Sequence, residues 1–195
     1  MINSSMRVIL LIAASVLVSA CVAPIPDYNL RRGSFPLYIQ SAFDYLEKDE
    51  RKDRQELREF LGVDPVNTEW CAAFVNQVLA LHDIPGSESV SDVPLMARSF
   101  LTWGDKIEPE YIQPGDIVVF PRGDQGWQGH VGFYIGTLEQ NGVEYYLILG
   151  GNQSNEVNMD YFPAKSALGI RRNNNNLPPP NQLTWYEKIL DILVL

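Results

Sequence analysis

Apolar residues recur with helical spacing at Phe74, Val75, Val78, Leu79 and Leu81, just after Cys71-Ala72-Ala73, and this spacing predicts a buried helix. Asn67 or Thr68 can cap its start, and Asp83-Ile84-Pro85-Gly86 should end it near His82. Upstream, Ile39, Phe43 and Leu46 precede a charged block from Glu47 to Arg54, and Leu57, Phe60 and Leu61 follow it. That stretch, Tyr38 to Leu61, reads as one interrupted helix or two short ones, with the charges as a solvated face. Ser87 to Ser91 reads as a loop and Val93 to Trp103 as another short helix ending at Gly104. The pattern then changes. Pro114-Gly115-Asp116 turns into a strand over Ile117 to Phe120, a second strand runs over Gly129 to Gly136 and a third over Tyr145 to Leu149, and Leu168 to Arg172 adds one more. Helices first and an antiparallel sheet afterwards predict an α+β domain.

Both ends of the chain fall outside this pattern. Arg7 is followed by an apolar run from Val8 to Val18, too short for a comfortable membrane span, which reads as a secretory signal over residues 1–20. Its ending, Leu17-Val18-Ser19-Ala20-Cys21, resembles a bacterial lipobox, in which the cysteine is lipidated and becomes the first mature residue. Residues 21–34, with Pro24, Pro26 and Gly33, read as a tether, and the domain is expected over 35–172. Asparagine and proline over 173–182 make a linker, and 183–195 an apolar helix. At 195 residues, 46% hydrophobic and 20% charged, the chain suits one globular domain. A net charge of -9 argues against a nucleic-acid partner, which needs a basic face.

Cysteine usage sharpens the picture. Only Cys21 and Cys71 exist, so lipidation of the first leaves no partner for an internal disulfide. A lone thiol on an exported protein points to chemistry or to an intermolecular bridge. Cys71 falls in the first turn of its helix, where backbone N–H groups and the helix dipole favour a thiolate. A cysteine nucleophile needs a base, and the candidates are His82 and His130. His82 lies on the same helix about 16 Å along the axis, out of reach. His130 opens a strand after Trp127-Gln128-Gly129, where loop meets sheet. If Asn141-Gly142 forms a two-residue hairpin turn, His130 faces Gln153, and one bulge residue moves the pairing to Asn152. Either amide could accept a hydrogen bond from one ring nitrogen and leave the other facing sulfur.

Trp-Cys-Ala-Ala-Phe-Val-Asn, Pro-Gly-Asp-Ile-Val-Val-Phe, Gly-Trp-Gln-Gly-His-Val-Gly-Phe-Tyr and Gly-Gly-Asn-Gln-Ser-Asn, in this order, resemble the NlpC-type and CHAP-type papain-like peptidoglycan hydrolases. The resemblance is nearest to a small phage and bacterial subfamily that shares the Gly-Gly-Asn-Gln segment. It covers Glu69 to Arg172. It implies a papain-like core with Cys71 as nucleophile, His130 as base and Asn152, rather than Gln153, as the orienting residue. The implied function is hydrolysis of a peptidoglycan amide, as endopeptidase or N-acetylmuramoyl-L-alanine amidase. A binding lipoprotein without turnover and an acyltransferase on the same residues are the alternatives. Trp70 and Trp127 flank the catalytic pair and can line a cleft or join the core, and Gln128 is a candidate second oxyanion donor beside the Cys71 N–H. No metal or cofactor is implied, and a monomer is expected. Val22 supplies no acidic residue after Cys21, so by resemblance to Gram-negative lipoproteins the chain is expected on the outer membrane, facing the periplasm.

Overall fold

The computed structural model describes residues 33–173. The expected leader, Cys21, almost all of the expected tether, and the linker and helix expected after Asn173 lie outside the described residues. Three helices come first, α1 (Leu37–Ala42), α2 (Arg54–Leu61) and α3 (Cys71–Ala80). Six strands follow, β1 (Asp105–Ile107), β2 (Ile117–Pro121), β3 (Gly129–Gln140), β4 (Val143–Gln153), β5 (Glu156–Pro163) and β6 (Gly169–Arg172). They form one sheet in the order β1-β6-β2-β3-β4-β5, antiparallel throughout. The architecture is therefore α+β.

Alternation along the strands divides the apolar residues between two faces. Ile117, Val119, Val131, Phe133, Ile135, Leu147, Leu149 and Val157 turn toward the helices and pack with Phe74, Val75, Val78 and Leu79 of α3. Val118, Phe120, Tyr134, Tyr146, Ile148 and Ile170 form a second cluster on the other face. Helix α3 is buried at Cys71, Ala72, Ala73, Phe74, Val75, Val78 and Leu79, so it is apolar nearly all round, the signature of a core helix. Its polar residues are Asn76 and Gln77. The Asn76 amide accepts the Ser87 N–H at 2.8 Å and donates to the Pro94 carbonyl at 3.0 Å, tying the loop after α3 back onto the helix.

Several elements depart from the sequence reading. Helix α3 stops at Ala80 rather than near His82, and residues 97–102 form a 3-10 helix instead of an α-helix from Val93. Neither Asn67 nor Thr68 caps α3; Trp70 holds the cap position and makes no side-chain cap bond, while the Asn67 amide donates to Asp64 at 2.9 Å. Strand β5 was hidden by its polar residues, although Val157, Met159 and Tyr161 alternate toward the core. The charged block is not simply a solvated face. Glu47 N–H donates to Val157 O, Val157 N–H to Lys48 O and Glu50 N–H to Asn155 O, so residues 47–50 lie along the start of β5. Glu50 is buried there and accepts the Trp70 indole N–H at 3.3 Å.

The hairpin behaves as its turn residues dictate. Asn141 and Gly142 both have positive φ, 54° and 71°, which matches the twist of the flanking strands. Pairing runs from Gln140↔Val143 to Gly136↔Leu147, then slips by one residue so that Tyr134 meets Ile148. Further along, Gly151 brings β4 directly onto the start of α3. A Cβ there would collide with the Trp70 ring and lie 2.7 Å from Phe74 Cβ. Gly151→Ala is therefore expected to lower stability by about 1–3 kcal/mol through overpacking, read from urea unfolding. A wild-type midpoint would show that β4 and α3 can part without cost.

Candidate active site

Cys71 is the first residue of α3 and is 3% exposed. The backbone N–H groups of Val131 on β3 and of Ala72 in its own first turn lie near enough to the sulfur to favour its thiolate form. The second is free for this because the helix lacks a side-chain cap. Burial pushes the thiol above its ordinary pKa; the two N–H groups and the Arg122 charge pull it down, and Glu69 raises it again. The resting sulfur is thus a thiol at neutral pH.

Val131 follows His130, which is 3% exposed and pairs with Phe120 of β2. The Cys71 sulfur therefore lies beside the residue that follows His130, and no hydrogen bond joins it to the imidazole. His130 Nε2 lies 2.9 Å from Gln153 Oε1. The orientation of that amide is fixed by its other end, because Gln153 Nε2 faces Asn158 Oδ1 at 2.7 Å, Asn158 O at 2.9 Å and Ile148 O at 3.3 Å. A group surrounded by three oxygens must be the NH2, so the oxygen turns to the ring. Asn158 is held in turn, its own NH2 donating to Gln153 O and to Glu156 Oε1, both at 3.0 Å. The Gln153 oxygen can only accept, so His130 carries its proton on Nε2 and presents a lone pair at Nδ1. Nδ1 is buried and makes no hydrogen bond. Desolvation, reinforced by the Arg122 charge and opposed by the Gln153 hydrogen bond, lowers the imidazole to about 4. The ring is neutral at physiological pH, with an unprotonated nitrogen for base chemistry.

The amide beside the imidazole is not the one that the resemblance implies. Asn152, favoured by resemblance, does not bond the imidazole; Gln153 does. The slip in the β3–β4 register would, if continued, set Asn152 opposite His130, but Asn152 adopts φ 57° and a second irregularity falls between Gly150 and Gln153. The left-handed residue turns its amide away to Glu69 Oε2 at 2.7 Å and lets Gln153 reach under the ring. Gly150 is needed beneath it, since a Cβ there would lie 2.8 Å from Gln153 Oε1 and 3.4 Å from His130 Nε2.

Trp70 is not a cleft residue. It is fully buried, bonded to Glu50 and packed edge-on against Phe74. Trp127 is 61% exposed. Gln128 turns its side-chain oxygen back to Gln125 N–H at 2.9 Å, bracing its own loop instead of facing the sulfur. Its carbonyl accepts Arg98 Nε at 2.7 Å. His82 Nε2 sits 2.8 Å from the Ser41 hydroxyl, occupied with α1. Sequence reasoning missed Asn158 and Phe162, whose ring stacks on His130 at 5.2 Å with 16° between planes. The signal for both was the alternation within β5. Among the described residues no group of three or more His, Cys, Asp or Glu side chains is placed to hold a metal ion.

No family model matches the chain, and no curated protein does. Among solved structures, an NlpC/P60 family protein from Bacillus cereus ATCC 10987 is similar, with 19% identity, a TM-score of 0.34 and coverage of 52% of this chain. The match spans 30% of the length of that protein.

The Gln153 network gives a direct expectation. Gln153→Glu keeps the size but sets an acceptor against three oxygens, which should cost about 1–3 kcal/mol in urea unfolding. The same carboxylate favours imidazolium, so the His130 ring titration followed by NMR should move up from about 4. The sign for wild type follows from linkage: the folded value of about 4 lies below the ordinary 6.5, so the unfolded chain binds more protons between them. The His130 contribution to stability is whole above pH 6.5 and is lost as pH falls toward 4. A His130 midpoint near 6.5 in the folded protein would refute this environment.

Proposed function

We propose that this chain is a lipid-anchored cysteine hydrolase of papain-like arrangement that cleaves an amide bond of peptidoglycan. The observation that carries the reading is His130, with Nε2 tied to an amide of fixed orientation and Nδ1 buried and unbonded, on the strand whose next N–H lies near the Cys71 sulfur. Resemblance supplies the substrate class, and the leader ending in Cys21 supplies the compartment.

In this reading the thiol and imidazole start neutral, and their hydrogen bond forms as substrate enters, as catalytic contacts often tighten only in the complex. Cys71 passes its proton to His130 Nδ1 while sulfur attacks the carbonyl carbon. The oxyanion faces the Cys71 backbone N–H, which has no partner within the helix at this first position. Collapse of the intermediate breaks the C–N bond, His130 gives the proton to the departing amine, and a thioester remains. Water, deprotonated by His130, then releases the acid and restores the thiol. Gln153 holds the ring through both halves, and no metal or cofactor enters.

A second reading, a binding lipoprotein without turnover, draws on the burial of Cys71 and its raised thiol pKa. Reactivity separates the two: an active-site thiol should be alkylated by iodoacetamide near neutral pH and be protected by bound substrate fragments, whereas an inert core cysteine reacts slowly with or without them.

Cys71→Ala and His130→Ala should each lower release of soluble muropeptides from purified peptidoglycan by at least about a thousandfold, while His82→Ala retains most activity. Gln153→Ala should reduce kcat by about two to four orders of magnitude through misorientation of the ring. Undiminished muropeptide release by Cys71→Ala would end the enzyme reading. For the anchor, Cys21→Ser should shift the protein from the membrane to the soluble fraction of cells while the purified domain keeps its activity. Equal sedimentation of variant and wild type would place the anchor elsewhere.

A further inference from the structure

Beside Cys71 the chain places three polar side chains that the chemistry above does not use. Asn152 is 4% exposed, yet its amide N–H points outward to Glu69 Oε2 at 2.7 Å. The Asn152 carbonyl accepts Arg122 Nη2 at 3.0 Å, which fixes the guanidinium against the same residue. Arg122 Nη1 then lies 3.6 Å from the same Glu69 oxygen. Two donors, an amide and a guanidinium, thus converge on one carboxylate oxygen. The donors are held: one is nearly buried, and the other is tied to a backbone carbonyl. Their occupant is not, since the Glu69 side chain is 81% exposed, against 40% for Arg122, and comes from the irregular segment two residues before the nucleophile. An exposed ion pair of this kind adds little to stability, so Glu69 can give way to a competing carboxylate.

The guanidinium has donors to spare and is suited to a carboxylate. Its charge also reaches the reacting groups, as it acts on both Cys71 and His130. In a chain of net charge -9, a fixed cation at this place gives an anionic ligand a local welcome that the whole surface does not.

We infer that Asn152 and Arg122 form a carboxylate-binding cradle beside the nucleophile, occupied at rest by Glu69, and that the substrate carries a free carboxylate next to the scissile amide and displaces Glu69 on binding. This rests on the hydrolase reading only for the bond that is cut; the cradle itself is a binding site. Glu69 acts as an internal competitor. Its own carboxylate sets the threshold that an incoming one must exceed, which selects against ligands carrying a neutral amide at this position.

The test uses two peptidoglycan stem fragments that differ only in a carboxylate or a carboxamide on the residue beside the amide bond. Binding is measured by calorimetry on the full chain with Cys71→Ala, so that turnover plays no part. The carboxylate fragment should bind at least tenfold more tightly than the carboxamide. Adding Arg122→Gln should abolish that difference, and adding Glu69→Gln should widen it severalfold. Both side chains are exposed, and an unchanged melting temperature confirms that each variant is folded. Equal binding of the two fragments, or a preference that survives Arg122→Gln, overturns the cradle. A preference of the expected form in a protein that cleaves no peptidoglycan would sustain the cradle and defeat the hydrolase reading instead.

Discussion

One hydrogen bond organises the candidate site, the 2.9 Å contact between His130 Nε2 and Gln153 Oε1. A neutral imidazole can hold its proton on either nitrogen, and left alone it exchanges between them. The Gln153 amide removes that freedom only because its own direction is settled by Ile148 and Asn158. The chemistry at Nδ1 is thus decided two residues away, by which end of an amide meets a cluster of carbonyl oxygens. Buried polar networks of this kind are useful when every member is satisfied. Here one atom is left out, and it is the one that the proposed reaction needs.

The second constraint is steric. Gly150 and Gly151 sit back to back in β4 and clear space in different directions, one beneath His130 and Gln153, the other against Trp70 and Phe74. Asn152 then takes a backbone conformation that side chains seldom adopt, and its amide short enough to fit there leaves the sheet for Glu69. Four consecutive residues therefore serve four needs: room beneath His130, close packing of the start of α3, a donor to Glu69, and the amide that holds the imidazole.

Much of this was legible in the chain. The apolar spacing around Phe74 and Val78 marked α3, the Asn141-Gly142 turn marked the hairpin, and the distance from Cys71 removed His82. Pairing arithmetic narrowed the orienting residue to Asn152 or Gln153 but could not choose, because the choice depends on two local irregularities and one left-handed residue that no periodicity encodes. Resemblance then chose the residue that the fold turns away. Trp70 was ambiguous for a related reason: its indole N–H finds Glu50, and that carboxylate lay in a stretch whose charges suggested solvent. Strand β5 was hidden because Asn158 and Asp160 interrupt its apolar residues on the face away from the helices.

Strand β5 ends the sheet, and an unpaired strand edge invites another chain to add to it. In this protein residues 47–50 lie along the beginning of that edge, closing it with Glu47, Lys48 and Glu50 backbone bonds. The same strand supplies Asn158 to the Gln153 amide and Phe162 to the imidazole face. Protection against edge-to-edge assembly and retention of the correct imidazole tautomer are therefore a single mechanical act. Fraying of this strand would free the His130 ring and expose a sticky border together, so solubility and the order of the candidate site are set to fail at the same moment.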